Sequence, residues 1–165
     1  MNIFVLDKHP VTAAKYNCDK HVVKMVVELF QQLGSAVIRH GAKPEQMPLT
    51  SKGTPLKGGY HNHPCTHWCG DKRINYMWAS THAIALCDEY TARYGKSHSC
   101  ESGIRKLADM QYMIPEGPLM PFAQAMPDQY KSHDAVTAYR NYYLNDKKNF
   151  AKWSKLNNTP NWWIL

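Results

Sequence analysis

"DKHVVKMVVELFQQLG", residues 19–34, reads as an amphipathic helix, because its apolar and polar positions separate at helical spacing. Val22, Met25, Val26, Leu29 and Leu33 recur three and four apart, and Ala36 and Val37 extend the series, giving one face to bury. His21, Lys24, Glu28, Gln31 and Ser35 form a second, polar stripe off that core face. The pattern runs outward from Pro10, which suits a first helical turn, to about Arg39, with room for a break near Cys18 and Gly41 as a stop. Two readings of the stripe compete. Lys24 and Glu28 are i, i+4 partners in the weaker order, so one reading is a surface pair contributing ~0.3 kcal/mol beside a bystander histidine. The other is an acid–base site held over a substrate. Spacing alone favours the surface pair.

Upstream, "NIFVL" at residues 2–6 fits either a buried arm or a short strand. Downstream, residues 41–64 carry four prolines and several glycines, and long irregular connections of this kind are often functional. A turn entering a helix is expected at Pro64, and a second long helix from about Asp71 to Tyr94, stopped by Gly95. "SCESGIRKLADM" at residues 99–110 adds a short helix, and the Pro-rich stretch 110–131 reads as irregular. A third main helix starts near Ser132 or Asp134 and extends toward Phe150 and Trp153. The expectation is an all-α fold: one domain over residues 1–165, a compact bundle of three main helices with long Pro/Gly-rich connections and an N-terminal arm.

Composition narrows the partner. Twenty Lys and Arg face thirteen Asp and Glu, for a formal net charge of +7. Such an excess favours a polyanion, since bound cations release the counterions condensed on phosphates. No apolar run approaches the ~20 residues that span a bilayer, so no membrane association is expected. The start lacks a secretory pattern and the five cysteines cannot all pair, which points to reduced thiols and a cytoplasmic location.

Two further clusters bear on chemistry. "HNHPCTHWC", residues 61–69, packs five potential metal ligands into nine residues, but alternate spacing such as His61, His63 and Cys65 is not that of structural zinc. Neither metal nor cofactor is expected, and the histidines are read as hydrogen-bonding or phosphate-contacting groups. Near the C-terminus, Arg140 and Lys148 are among the cations interleaved with aromatic residues, and Trp162 and Trp163 lie in an irregular tail that reads as exposed. Bases can stack on exposed rings while cations follow the phosphates.

In the order of these parts, the chain resembles the pyrimidine-dimer DNA glycosylase/AP lyase family of T-even phages, the endonuclease V type. The resemblance rests on "DKHVVKMVVEL" with Gly34 beyond it, on "NYMWASTHAIALCDEYTARYG", and on "MPDQYKSHDAVTAYRNYY" with the aromatic tail. It implies an all-α fold with the N-terminal arm threaded between three helices. It also implies a chain-terminal α-amine that attacks C1′ of a damaged nucleotide to form a Schiff base, a base moved out of the stack, and β-elimination supported by a helix-borne glutamate. By that resemblance Glu28 is the carboxylate and His21 a neighbouring contact.

The chain also departs from the family. Asn2 follows Met1 where the family has threonine, which favours retention of Met1 and puts the free amine one residue out of place. The family's arginines on the arm and first helix correspond to Ile3, Val27 and Gln31. The expected catalytic set is therefore Glu28, His21, Lys24, Met1 and Asn2, with the terminal amine or Lys24 as nucleophile. Substrate contacts are expected from Lys20, His61, His63, Arg73, Arg140, Lys148, Trp162 and Trp163. The leading expectation is a phage-encoded enzyme acting on damaged or modified double-stranded DNA, with no obligate protein partner. The alternatives are a related helical fold reused, with a His-rich site, for another nucleotide or modified-base reaction, and a non-catalytic nucleic-acid-binding protein.

Overall fold

Pro10 opens the first helix, α1 (Pro10–Tyr16), in a computed structural model that describes residues 2–164. Asn17 and Cys18 are extended, and the Asn17 amide closes α1 by donating to Ala13 O at 2.9 Å. The chain then restarts as α2 (Asp19–Arg39), so the break falls where the sequence allowed one. α3 (Pro64–Asp71) and α4 (Arg73–Tyr94) follow, separated by a single extended residue, Lys72. The second long helix thus begins at Arg73 and not at Asp71, which ends α3. Gly95 closes α4 in the left-handed region at φ 70°, a conformation that costs glycine nothing. α5 (Glu101–Asp109) and α6 (Ala135–Tyr142) complete the α-helices, and among the described residues there is no strand.

α4 is the hub. It packs against α1, α2, α3 and α5, and its apolar residues are spread around the helix because it is covered on several sides. Tyr76, Ala79, Ala83, Leu86 and Cys87 are all fully buried. At its far end Arg93 carries a fully buried side chain that pairs with Asp19 at 3.1 Å and Glu89 at 2.8 Å and donates to Asn17 O and Lys15 O. That one guanidinium ties α4 to the break between α1 and α2.

The apolar face of α2 is buried as its spacing demands: Val22, Val26, Leu29, Leu33 and Val37 are fully so. The polar stripe departs from expectation, because His21, Glu28 and Ser35 are buried as well. Two irregular segments cover it. Residues 2–6 form a buried arm, not a strand, and burying each large apolar side chain of that arm contributes roughly 1.5–3 kcal/mol. Farther along, Gly58 and Gly59 lie on α2, where Ser35 Oγ accepts from Gly59 N and donates to Gly59 O, both at 2.7 Å. Gly58 has φ 72°, and a Cβ there would collide with Ser35 Oγ and come within 2.9 Å of Ser35 Cα.

The third main helix is shorter than its pattern suggested. α6 ends at Tyr142, widens into a π turn over Tyr143–Lys147, and no helix reaches Phe150 or Trp153. Tertiary partners win over helical continuation here: Asp19 N donates to Lys152 O at 2.8 Å and Trp153 Nε1 to Tyr16 O at 3.1 Å. The C-terminal segment is thereby drawn onto the start of α2, whose first N–H groups need acceptors. Trp162 and Trp163 do not form an exposed tail. Both are half-buried against the core, where Trp162 meets Tyr16 and Trp163 meets Trp153 edge-on.

Candidate active site

Glu28 projects from the middle of α2, and its carboxylate lies just under the surface at 6% side-chain exposure. Among the described residues, two nitrogens face its oxygens. The Asn2 backbone N–H donates to Oε2 at 3.1 Å, and Lys24 Nζ, one turn back and largely exposed, lies 3.4 Å from Oε1. A buried carboxylate requires such partners, because leaving it without them would cost several kcal/mol. The threaded arm therefore brings the start of the described chain within hydrogen-bond reach of the acid on the first long helix. Met1 lies outside the described residues.

The Asn2 side chain is itself enclosed. Its Nδ2 donates to Ala125 O at 2.7 Å, and its Oδ1 accepts from the Tyr139 hydroxyl at 2.7 Å, with the Cys65 thiol 3.6 Å away. Burial raises the Cys65 thiol to about 11, so it stays protonated and is no nucleophile at neutral pH. The same cause raises the Tyr139 hydroxyl well above its ordinary value, which keeps it a donor.

His21 faces a different set of groups. Two turns before Glu28, its ring stacks on Phe4 at 4.5 Å, meets Phe150 edge-on, and its Nδ1 hydrogen-bonds the buried Tyr143 hydroxyl. Burial lowers its pKa to about 3, helped by the charges of Lys147 and Lys24, so it is neutral at any physiological pH. His21 thus holds the arm against α2 and α6 while remaining uncharged beside a group of lysines.

The remaining predicted residues fall in several places. His63 caps α3, its Nδ1 accepting from Cys65 N at 3.2 Å, two residues from the thiol that touches Asn2. Burial pushes His63 below its ordinary value, while the Glu28 carboxylate pulls it back up. Lys20 and Lys148 are exposed, with Lys20 Nζ 5.3 Å from the Phe150 ring. His61 is exposed at the rim of a hollow of about 260 Å³ between α2 and α3, with Ser35, Arg39, Asn62 and Thr66 among its lining. Ser35 carries the polar stripe from Glu28 to that hollow. Arg73 is bound to Glu116 at 2.8 Å and to Ile114 O and Tyr112 O, away from the arm. Arg140 donates to Leu6 O at 2.9 Å and covers Trp162, so arm, α6 and tail share one guanidinium.

Tyr139 and Tyr143 are the site residues that the sequence concealed. Both are buried, and their hydroxyls meet Asn2 and His21. The available signal was their i, i+4 spacing, which sets two phenols on one side of a helix. Their partners, more than 120 residues away in sequence, carry no local trace. With this geometry in view, a family model described as pyrimidine dimer DNA glycosylase matches residues 1–102. That span holds Asn2, His21, Lys24, Glu28 and His63 and ends before Tyr139. Neither the curated proteins nor the solved structures gave a match.

Proposed function

The chain belongs to the pyrimidine dimer DNA glycosylase family, and from that premise we propose that it acts on damaged or modified duplex DNA as a glycosylase with an associated lyase step. The observation that carries this reading is the 3.1 Å contact between Asn2 N and the buried Glu28 carboxylate. An amine at the start of the chain attacks C1′ of the target nucleotide. The C1′–base bond breaks, and the base leaves with its electron pair and takes a proton from water. Opening of the sugar ring leaves a Schiff base between C1′ and the nitrogen. Glu28 then removes a proton from C2′. Its electrons form the C2′–C3′ double bond as the C3′–O bond breaks, and the 3′ phosphate departs. Water finally hydrolyses the Schiff base and frees the amine.

Other residues serve this scheme through placement and charge. Lys20, Lys24 and Lys148 offer exposed cations to phosphates, and His61 and His63 offer ring nitrogens at the start of α3. Lys24 is the competing nucleophile, since its amine is also within reach of Glu28. Where the initiator methionine is retained, as Asn2 favours, the free amine belongs to Met1, next to the Asn2 N–H held on Glu28; where it is excised, the amine is that of Asn2 itself. Such an enzyme works in the cytoplasm, on phage or host DNA.

Borohydride trapping tests the proposal. With wild-type protein, abasic and dimer-containing duplexes each yield a covalent adduct and a cleaved strand. Glu28→Gln keeps an acceptor for Asn2 N but no base, so the adduct still forms while strand cleavage falls about 10²–10⁴-fold. Absence of both adduct and cleavage on either duplex removes the reading. Steeply salt-dependent binding without any chemistry would assign the chain to a nucleic-acid-binding role.

A further inference from the structure

The Asn2 side chain is held more closely than anchoring an arm requires. Four apolar neighbours, Ile3 to Leu6, are already almost wholly buried and fix the arm against α2. Beyond that packing, every polar atom of the Asn2 amide has a partner from a separate part of the chain. Nδ2 donates to Ala125 O at 2.7 Å, and Oδ1 accepts from Tyr139 at 2.7 Å and faces Cys65 Sγ at 3.6 Å. The Tyr139 hydroxyl also lies 2.6 Å from Ala123 O and accepts from Ala125 N at 3.4 Å, so it braces the strip whose Ala125 O takes the Asn2 Nδ2 donor. These contacts have one geometric consequence: they hold Cβ of Asn2 in place and so stop the main chain at residue 2 from swinging, with its nitrogen pointing at Glu28 Oε2. Ala123, Ala125 and Tyr139 all lie beyond the matched span of residues 1–102.

We propose that Tyr139, acting through the Asn2 side-chain amide, is a positioning residue that holds the start of the chain on Glu28 and so aims the terminal amine at the reacting sugar. This rests on the functional reading above. The clamp selects an amide at position 2, because one end must accept from Tyr139 and the other must donate to Ala125 O. An asparagine satisfies both. An aspartate would set a carboxylate oxygen against the Ala125 carbonyl. Misdirection of a nucleophile by an ångström is enough to cost about a hundredfold in rate, whereas DNA affinity, set by phosphate contacts, is left nearly intact.

The test compares wild type, Tyr139→Phe and Asn2→Asp on an abasic duplex, measuring duplex Kd and the single-turnover rate of the borohydride-trapped adduct separately. Tyr139→Phe retains the buried ring and removes only the hydroxyl. Its adduct rate is expected to fall at least tenfold with Kd within threefold of wild type, and Asn2→Asp is expected to show the same split. Should either variant fail to fold by thermal melting, the other decides. Wild-type trapping with both variants reacting at the wild-type rate, or with rate and Kd falling together, overturns the positioning role and leaves the functional reading standing. If wild type itself forms no adduct, the functional reading fails and the positioning role with it.

Discussion

Lys24, Glu28 and Asn2 meet because a helix offers one acid at its surface and an arm folds down onto it. His21 shows the complementary effect of burial, remaining an uncharged base in a basic neighbourhood. His82 is held down to about 4 by burial, although its hydrogen bond to Pro10 O opposes the shift. Both have folded values below the unfolded 6.5, so between those limits the unfolded chain binds more protons and stability rises with pH. The contribution is complete above pH 6.5 and is lost as pH falls toward 3–4, by at most about 1.4 kcal/mol per pH unit for each histidine. Urea melts at pH 7 and pH 5 check this. The midpoint should drop at pH 5, and His82→Gln should reduce the drop; a midpoint that does not move would show that neither histidine is buried neutral.

At the scale of elements, two joints matter most. Arg93 links α4 to the α1–α2 break, and removing it leaves the buried Asp19 and the half-buried Glu89 without their cation. Arg93→Met should therefore lower stability by about 3–5 kcal/mol in chemical denaturation. Gly58→Ala should cost about 1–3 kcal/mol, because the residue is at positive φ and a Cβ would meet the backbone of Ser35. A melting temperature unchanged by Gly58→Ala would mean that the 41–64 connection does not rest on α2. These joints also show where sequence reading stops. The helices at Pro10, Asp19 and Pro64 and the stop at Gly95 are written in proline, periodicity and glycine, all local signals. The stop of α6 at Tyr142 is not, because it depends on Lys152 O capping α2 and on Trp153 reaching Tyr16. The buried stripe was equally hidden. His21, Glu28 and Ser35 are polar at a spacing that reads as solvated, and only the arm and the glycine turn covering them show otherwise.

The molecule as a whole carries a net charge of +7, and its exposed cations include Lys20 beside Phe150, Lys24 beside Glu28 and Lys148 in the C-terminal segment. Each phosphate neutralised contributes about −0.9 to the slope of log K against log salt, so these three lysines predict about −3 of the total for duplex DNA. Replacing all three by glutamine should flatten the slope by that amount, and an unaltered slope would place the DNA on another face. At the centre of the proposed chemistry, the α-amine at the start of the chain, held beside Glu28, makes the bond to C1′. Proteolysis and mass spectrometry of the borohydride-reduced adduct on an abasic duplex locate that bond. The sugar remnant should map to the α-amine of the first residue of the mature chain. A remnant on Lys24, or on any other lysine, would contradict it.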